Sequence, residues 1–419
     1  MSLKRVVVTG VGTISPVGSN TQETWENISQ GISGSDIITH YDTTNFKTKF
    51  ACEVKNYDPI AFFDSKDIKK IDRFTQFALI SADEAIKDSG IDFEKIDKSR
   101  AGVIWASGIG GAETLFQEIK GYIEGNFIPR FSPFFIPKSI VDIAAGYISM
   151  RYKLMGPNYC TVSACASSSN AIIDAYNIIR LGMADYIISG GSEAAICEIG
   201  MAGFQSMMAL STNNEEYKTA SRPFCATRDG FVMAEGGCGL ILEEYEHAKA
   251  RNAKIYCEIV GCGLSADAYH ITAPHPEGIG AVLVMKNALK DANIQPTDID
   301  YINVHGTSTP LGDIAELTAV KTVFGEHAFN LNISSTKSMT GHLLGAAGAI
   351  ELSCCILAIQ KNIIPPTINH KQWDERIDKN FNLTLHKSQQ REVKFALSNT
   401  FGFGGHNATI IVKKLSNEQ

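Results

Sequence analysis

Residues 163–191 read SACASSSNAIIDAYNIIRLGMADYIISGG, and the fold follows from how this stretch is parsed. Cys165 lies among small residues. Behind it Ile172, Ala175, Ile178 and Ile179 recur at the spacing of an amphipathic helix, and the β-branched run YIISGG after it ends in glycines like a strand running into a turn. A cysteine where a strand gives way to a helix has two readings. One is a thiol buried among packing residues. The other is a nucleophile, because small neighbours let the backbone turn sharply while helix amides and their dipole lower the thiol pKa and favour thiolate. The segment alone leaves the two even.

The same alternation extends along the chain: VVVTGVG at 6–12, AGVIWASGIGG at 101–111, GLILEEYE at 239–246 and YINVHGTST at 301–309 all read as strands between helical stretches. Several end in small or polar turns, where α/β folds collect their active groups. The charged run EEYEHAKARNAK at 243–254 precedes a new strand, which places a boundary near residue 252 between halves 1–252 and 253–419 with a similar order of elements. An internal duplication is plausible on this pattern.

A length of 419 residues suffices for one large core or two similar ones, and a net charge of −7 offers no global attraction to nucleic acid or an anionic membrane. No secretory signal is evident at MSLKRVVVTGVG, and no uninterrupted apolar run of about 18 residues predicts a membrane span. The protein is expected to be soluble. Ten cysteines without a CxxC pair fit a reducing compartment, the cytoplasm.

Three further segments carry candidate chemistry. His305 falls just past an apolar strand and is followed by Thr307, Ser308 and Thr309, hydroxyls suited to a polar ligand arm. Lys337 and His342 precede a Gly/Ala-rich helix, and Glu351 within its apolar run is expensive unless paired, with Lys337 the candidate partner upstream. In SNTFGFGGHNATIIV, Phe401, Phe403 and the glycines precede a closing strand; tight turns there expose backbone N–H groups of the kind an oxyanion site requires.

Taken in order, TVSACASSSNA, VHGTSTPLGD, STKSMTGHLLGAAGAIE and NTFGFGGHN resemble the elongating β-ketoacyl-[acyl-carrier-protein] synthases over nearly the whole chain. Ile109 in GIGG makes the likeness greatest to synthase II, since the synthase I type has a small residue there. The resemblance implies a thiolase-like fold of two related α/β halves in αβαβα layers. It implies Cys165 as acyl acceptor, His305 and His342 as the paired histidines, and Lys337 and Glu351 ordering the site. The N–H groups of Cys165 and Phe403 would hold the oxyanion, with Phe403 also a gate. Thr307 and Thr309 match positions contacting the pantetheine arm; Ile109, Phe135 and Phe204, with Phe401, would shape the substrate pocket. His342 would be kept neutral by the dipole of the following helix. Fatty-acid elongation by two carbons follows as the expected activity, in a homodimer, with no cofactor or metal beyond the phosphopantetheine arm of acyl carrier protein.

The carrier is acidic in such systems, so Lys66, Lys69, Lys70 and Arg73 in DSKDIKKIDR, with Arg130 further on, are the docking candidates. Two departures from the family stand out: Met208, where relatives often carry a carrier-binding arginine, and His406, where many bacterial relatives have threonine. GCGLSA at 261–266 imitates a dinucleotide-binding turn but lacks the helix and acid-bearing strand, and Asp267, His270 and His275 match no tight metal-ligand spacing. Polyketide ketosynthases share the Cys, two-His and Lys set, and a noncatalytic chain-length partner would share the fold; these are the rival readings.

Overall fold

The computed structural model describes residues 3–415. Its ten long-sheet strands are β1 (Val6–Ile14), β2 (Ala101–Ala106), β3 (Asn158–Thr161), β4 (Tyr186–Glu193), β5 (Gly236–Glu244), β6 (Cys257–Ala266), β7 (Tyr301–Asn303), β8 (Asn332–Ser334), β9 (Phe395–Gly402) and β10 (His406–Lys413). Spatial order is β8-β7-β9-β10-β6-β1-β5-β4-β2-β3.

This order is the same motif twice. In each half the first strand pairs antiparallel with the fifth and the fifth antiparallel with the fourth. The fourth then pairs parallel with the second, and the second with the third. The topology thus displays the duplication that the sequence pattern suggests. The halves meet where Val6–Val8 pairs antiparallel with Cys257–Ile259.

Helices repeat likewise. Of four long ones, α1 (Arg73–Ser89) packs on β1 and β5 and its counterpart α3 (Ile279–Ala292) on β6 and β10. Between the two half-sheets lie α2 (Ser167–Arg180) and α4 (Ala347–Lys361), which touch each other. This makes the α/β layering, αβαβα, and one hydrophobic cluster joins both halves through residues such as Ile172, Ile350, Leu240 and Ile410. Because α2 and α4 are inside, they bury Ile172, Ile179, Ile356 and Ile359, and α4 carries few polar residues.

The centre of the fold departs from the expectation about apolar runs. Leu344–Lys361 is a continuous helical stretch of 18 residues, long and apolar enough by composition to cross a membrane, but 89% of it is buried inside the protein. It is a core helix, and Glu351 within it finds its cation internally.

Candidate active site

Each inner helix begins beside a candidate site residue. Cys165 precedes α2 on a turn where Ala164 has φ 51, a conformation that L-residues adopt only when held. The holding bonds are local: Ser163 N–H donates to Ser167 Oγ (2.8 Å), and Asn170 Nδ2 donates to Ser163 Oγ (2.6 Å). Small side chains at 163–169 let the neighbouring strand approach, and a Cβ on Gly402 would stand 2.7 Å from Ser163 O and 3.1 Å from the Cys165 nitrogen. The Phe403 backbone N–H lies close enough to the Cys165 sulfur to favour its thiolate.

His342 lies ahead of α4 and places Nε2 3.0 Å from Cys165 Sγ. His305 follows β7, its ring centroid 5.3 Å from that of His342 and 5.7 Å from Phe401. Lys337 Nζ donates to the His305 carbonyl oxygen (2.7 Å), lies 3.4 Å from His305 Nδ1, and pairs with Glu351. All five groups are buried. An ammonium facing Nδ1 makes that nitrogen an acceptor, so His305 carries its proton on Nε2, toward the cavity.

Electrostatics correct two expectations. Burial pushes the Cys165 thiol up to about 12, with Lys337 and then the Phe403 N–H acting the other way, opposite to the lowering expected from the sequence. Both histidines are held well below the ordinary imidazole range, chiefly by burial and then by Lys337. They are neutral, as expected, but burial rather than the helix dipole is the main cause. Alkylation of the free enzyme by iodoacetamide is therefore expected to climb about tenfold per pH unit between about pH 7 and pH 9, since thiolate fraction limits it. A plateau starting near neutrality would reveal a site-held thiolate.

Cys165, His305, His342, Thr307, Thr309, Phe204, Phe401 and Phe403 share one cavity of about 370 Å³. Thr307 and Thr309 hydroxyls are 3.0 Å apart along its wall. Lys337 and Glu351 stand behind the histidine. Among the residues lining the cavity there is no lysine or arginine. Ligand atoms of Cys165, His305 and His342 all lie within 4.8 Å of one another, a spacing a soft metal ion can bridge. Metal ligation by His305 Nε2 would move its proton to Nδ1, against the Lys337 ammonium, so the donor set suits hydrogen bonding to substrate better than a metal.

Ile109 and Phe135 are not brought to this cavity. Ile109 is 36% exposed and sits on the outer surface with Leu115, Ile119, Ile123, Phe127 and Ile136. The docking set is also thinned. Arg73 donates to the buried carboxylate of Glu235 (2.8 Å), since a buried charge demands a partner, and Lys70 pairs with Asp67 (2.8 Å). Lys66, Lys69 and Arg130 are exposed. Asp267, His270 and His275 lie in a loop at the cavity mouth, and His406 sits exposed beyond it.

Sequence reasoning missed the residues that brace this site. Glu316 accepts the N–H groups of His305 and Gly306 (2.8 Å each), and burial raises it to about 7. Arg228 holds the Thr309 and Pro310 carbonyls and, with Asp313 and Asp374, forms a buried ion cluster under the threonine loop. Glu316 was findable by the logic applied to Glu351: a carboxylate inside an apolar helix. Arg228 lies 77 residues before His305 and carried no such local signal.

A duplicated α/β fold that buries a cysteine against two neutral histidines at the start of its inner helices defines a thiolase-like condensing enzyme, a class of acyltransferase. The chain belongs to the β-ketoacyl synthase family: its residues 3–248 match the family's N-terminal domain and 256–371 its C-terminal domain. It is 46% identical over 411 residues to 3-oxoacyl-[acyl-carrier-protein] synthase 2 of Staphylococcus aureus strain COL, covering 98% of each chain. To the protein of that name from Coxiella burnetii it is 45% identical over 416 residues, 99% of this chain and all of the other. A β-ketoacyl synthase from Burkholderia phymatum superposes with a TM-score of 0.91 at 33% identity, over 99% of this chain and 100% of that one. A type II polyketide ketosynthase solved with its acyl-carrier protein does so with 0.91 at 34%, over the same shares.

Proposed function

We propose that the chain elongates fatty acids by two carbons: a decarboxylating Claisen condensation of acyl-[acyl-carrier-protein] with malonyl-[acyl-carrier-protein], giving 3-oxoacyl-[acyl-carrier-protein] and CO2. The contact of Cys165 Sγ with His342 Nε2 at 3.0 Å, beside His305, carries this reading. Cys165 attacks the acyl thioester carbonyl, its proton passes to the departing carrier thiolate, and an acyl-Cys165 thioester forms. His342 Nε2 is the one ring nitrogen within reach to relay that proton. The free carrier leaves and malonyl carrier enters.

With the sulfur acylated, the neutral imidazoles serve as donors. N–H groups of His305 and His342 hydrogen-bond the malonyl thioester carbonyl, which becomes an enolate as CO2 departs. The enolate carbon attacks the acyl-Cys165 carbonyl, whose developing oxyanion the N–H groups of Cys165 and Phe403 receive. One donor of this kind is worth roughly 3 kcal/mol in a transition state. Collapse expels Cys165 thiolate, which takes up one proton from solvent to restore the thiol. No step calls for a separate cofactor; the substrates arrive on the phosphopantetheine arm, along Thr307 and Thr309. Phe403, its ring 6.4 Å from Phe204, gates between the half-reactions.

Acyl carrier protein is the partner this reading requires, with Lys66, Lys69 and Arg130 as its remaining cationic contacts. Met208, 86% exposed at the cavity mouth, offers it no charge. Met208→Arg is expected to lower KM for acidic carrier a few-fold at low salt and to steepen its salt dependence. An unchanged KM at every ionic strength would place the docking surface elsewhere.

The halves 1–252 and 253–419 are best taken as the two units of the duplicated fold, placed in the cytoplasm, where the ten free cysteines suit reducing conditions. The exposed apolar band from Ile109 to Ile140 and the unpaired edge of β3 favour a homodimer. A second copy closing over this face would bring Ile109 and Phe135 into the acyl pocket that one chain leaves open. Light scattering at micromolar concentration should return twice the 45.5 kDa chain mass; a monomer mass would remove that role from both residues.

Contact among intact Cys165, His305 and His342 weighs against a noncatalytic subunit. The deciding assay mixes enzyme with acyl and malonyl carriers and follows CO2 and 3-oxoacyl carrier, expected one to one. Stable acyl-Cys165 enzyme that never condenses with malonyl carrier would sink the reading.

A further inference from the structure

Glu193, the last residue of β4, is fully buried, and no cation pairs with it among the described residues. Its carboxylate instead accepts four hydrogen bonds from two separate segments. Ser107 Oγ (2.8 Å), Gly108 N–H (2.7 Å) and Ile109 N–H (3.2 Å) come from the turn after β2, and Gly345 N–H (3.0 Å) from the segment leading into α4. The two segments touch backbone to backbone: a Cβ on Gly108 would stand 3.3 Å from the Gly345 nitrogen and 2.9 Å from Glu193 Oε2. Directly before Gly345, Leu344 is held at φ 48, a strained conformation for leucine, and its side chain lines the cysteine cavity. Ile109, in the turn that Glu193 holds, lies outside the cavity and is 36% exposed.

We propose that Glu193 is a positioning residue for acyl-chain selection: by gathering Gly345 and the 107–109 turn on one carboxylate it keeps Leu344 and that turn closed as a wall between Cys165 and Ile109. A short acyl chain fits on the cavity side of the wall. A long one advances only by displacing it, so the four hydrogen bonds set the cost of length. Only a carboxylate accepts from all three N–H groups without presenting a hydrogen of its own; a carboxamide turns two donors toward them.

The inference rests on the acyl-transfer reading, and one experiment separates the two. Butyryl and palmitoyl carriers compete for Cys165 of the full-length enzyme, with adducts counted by intact mass. In E193Q the palmitoyl-to-butyryl ratio should rise on the order of tenfold, as strain at Leu344 relaxes. In Ser107→Ala, which removes one donor and leaves the carboxylate, it should rise about threefold. A purely structural staple would slow both acyl donors alike. An unchanged ratio in folded E193Q, or in S107A where E193Q fails to fold, overturns the role of Glu193. Wild-type enzyme that takes neither acyl group overturns the acyl-transfer reading instead.

Discussion

Cys165→Ala is expected to abolish acylation outright: incubated with long-chain acyl carrier, wild type gains the mass of the acyl group and the variant gains nothing. Condensation should fall by at least about 10⁴-fold, the range seen when a covalent nucleophile is removed. Folding should be little affected, because Cys165 already neighbours alanines and its sulfur's hydrogen-bond contact is with His342 Nε2. Enolate formation on the malonyl group needs the histidine donors and not the sulfur, so CO2 release from malonyl carrier should persist, uncoupled from chain growth. His342→Ala should lose both activities. An acyl adduct retained in Cys165→Ala would move the nucleophile elsewhere; one absent from wild type, with active carrier, would point to a different acyl donor.

Lys337→Met has the second largest expected effect, and on stability as well as rate. Lys337 and Glu351 are each 1% exposed, and Glu351 Oε2 has no hydrogen-bond partner. Removing the ammonium leaves a buried carboxylate alone, at a cost of about 3–5 kcal/mol. Burial already raises Glu351 to about 7 with Lys337 opposing; without Lys337 it goes higher still. An acid whose folded pKa lies above its unfolded value loses stability as pH rises between the two. The melting temperature gap to wild type should therefore widen from about pH 6 to about pH 8. Lys337→Met/Glu351→Leu should recover most of the stability, as apolar replacement of buried pairs does, without recovering condensation, because His305 Nδ1 then faces no cation and its tautomer is free. A double variant that regained activity would reduce the pair to packing. A single variant as stable as wild type at about pH 8 would mean that Glu351 is not charged in the native state.

The legible residues have local chemistry that singles them out. Cys165 stands between a turn of small residues and a helix, His342 ahead of a Gly/Ala-rich helix, and Glu351 in a run that should hold no acid. Each anomaly is visible within a few positions, and the alternation of strand and helix around them is enough for the α/β class. What Ile109 and Phe135 line is not legible for the opposite reason: it depends on which surfaces meet, and in one chain Ile109 is exposed while Phe135 is half-buried against Phe131. Arg73 read as a free cation because its partner, Glu235, is 162 residues away.

By itself the sequence determined the secondary-structure rhythm and the kinship to condensing enzymes, and it singled out Cys165, His305 and His342 as candidates, since periodicity and motif chemistry act over short spans. Tertiary structure alone decided the rest. It showed that both half-sheets share one topology and join at β1 and β6. It showed that burial pushes the thiol up, because desolvation depends on everything packed around it rather than on its neighbours in sequence. And it showed that Glu316, Arg228 and Glu193 brace the site from remote positions, because a buried charge is satisfied by whatever donors the fold brings to it.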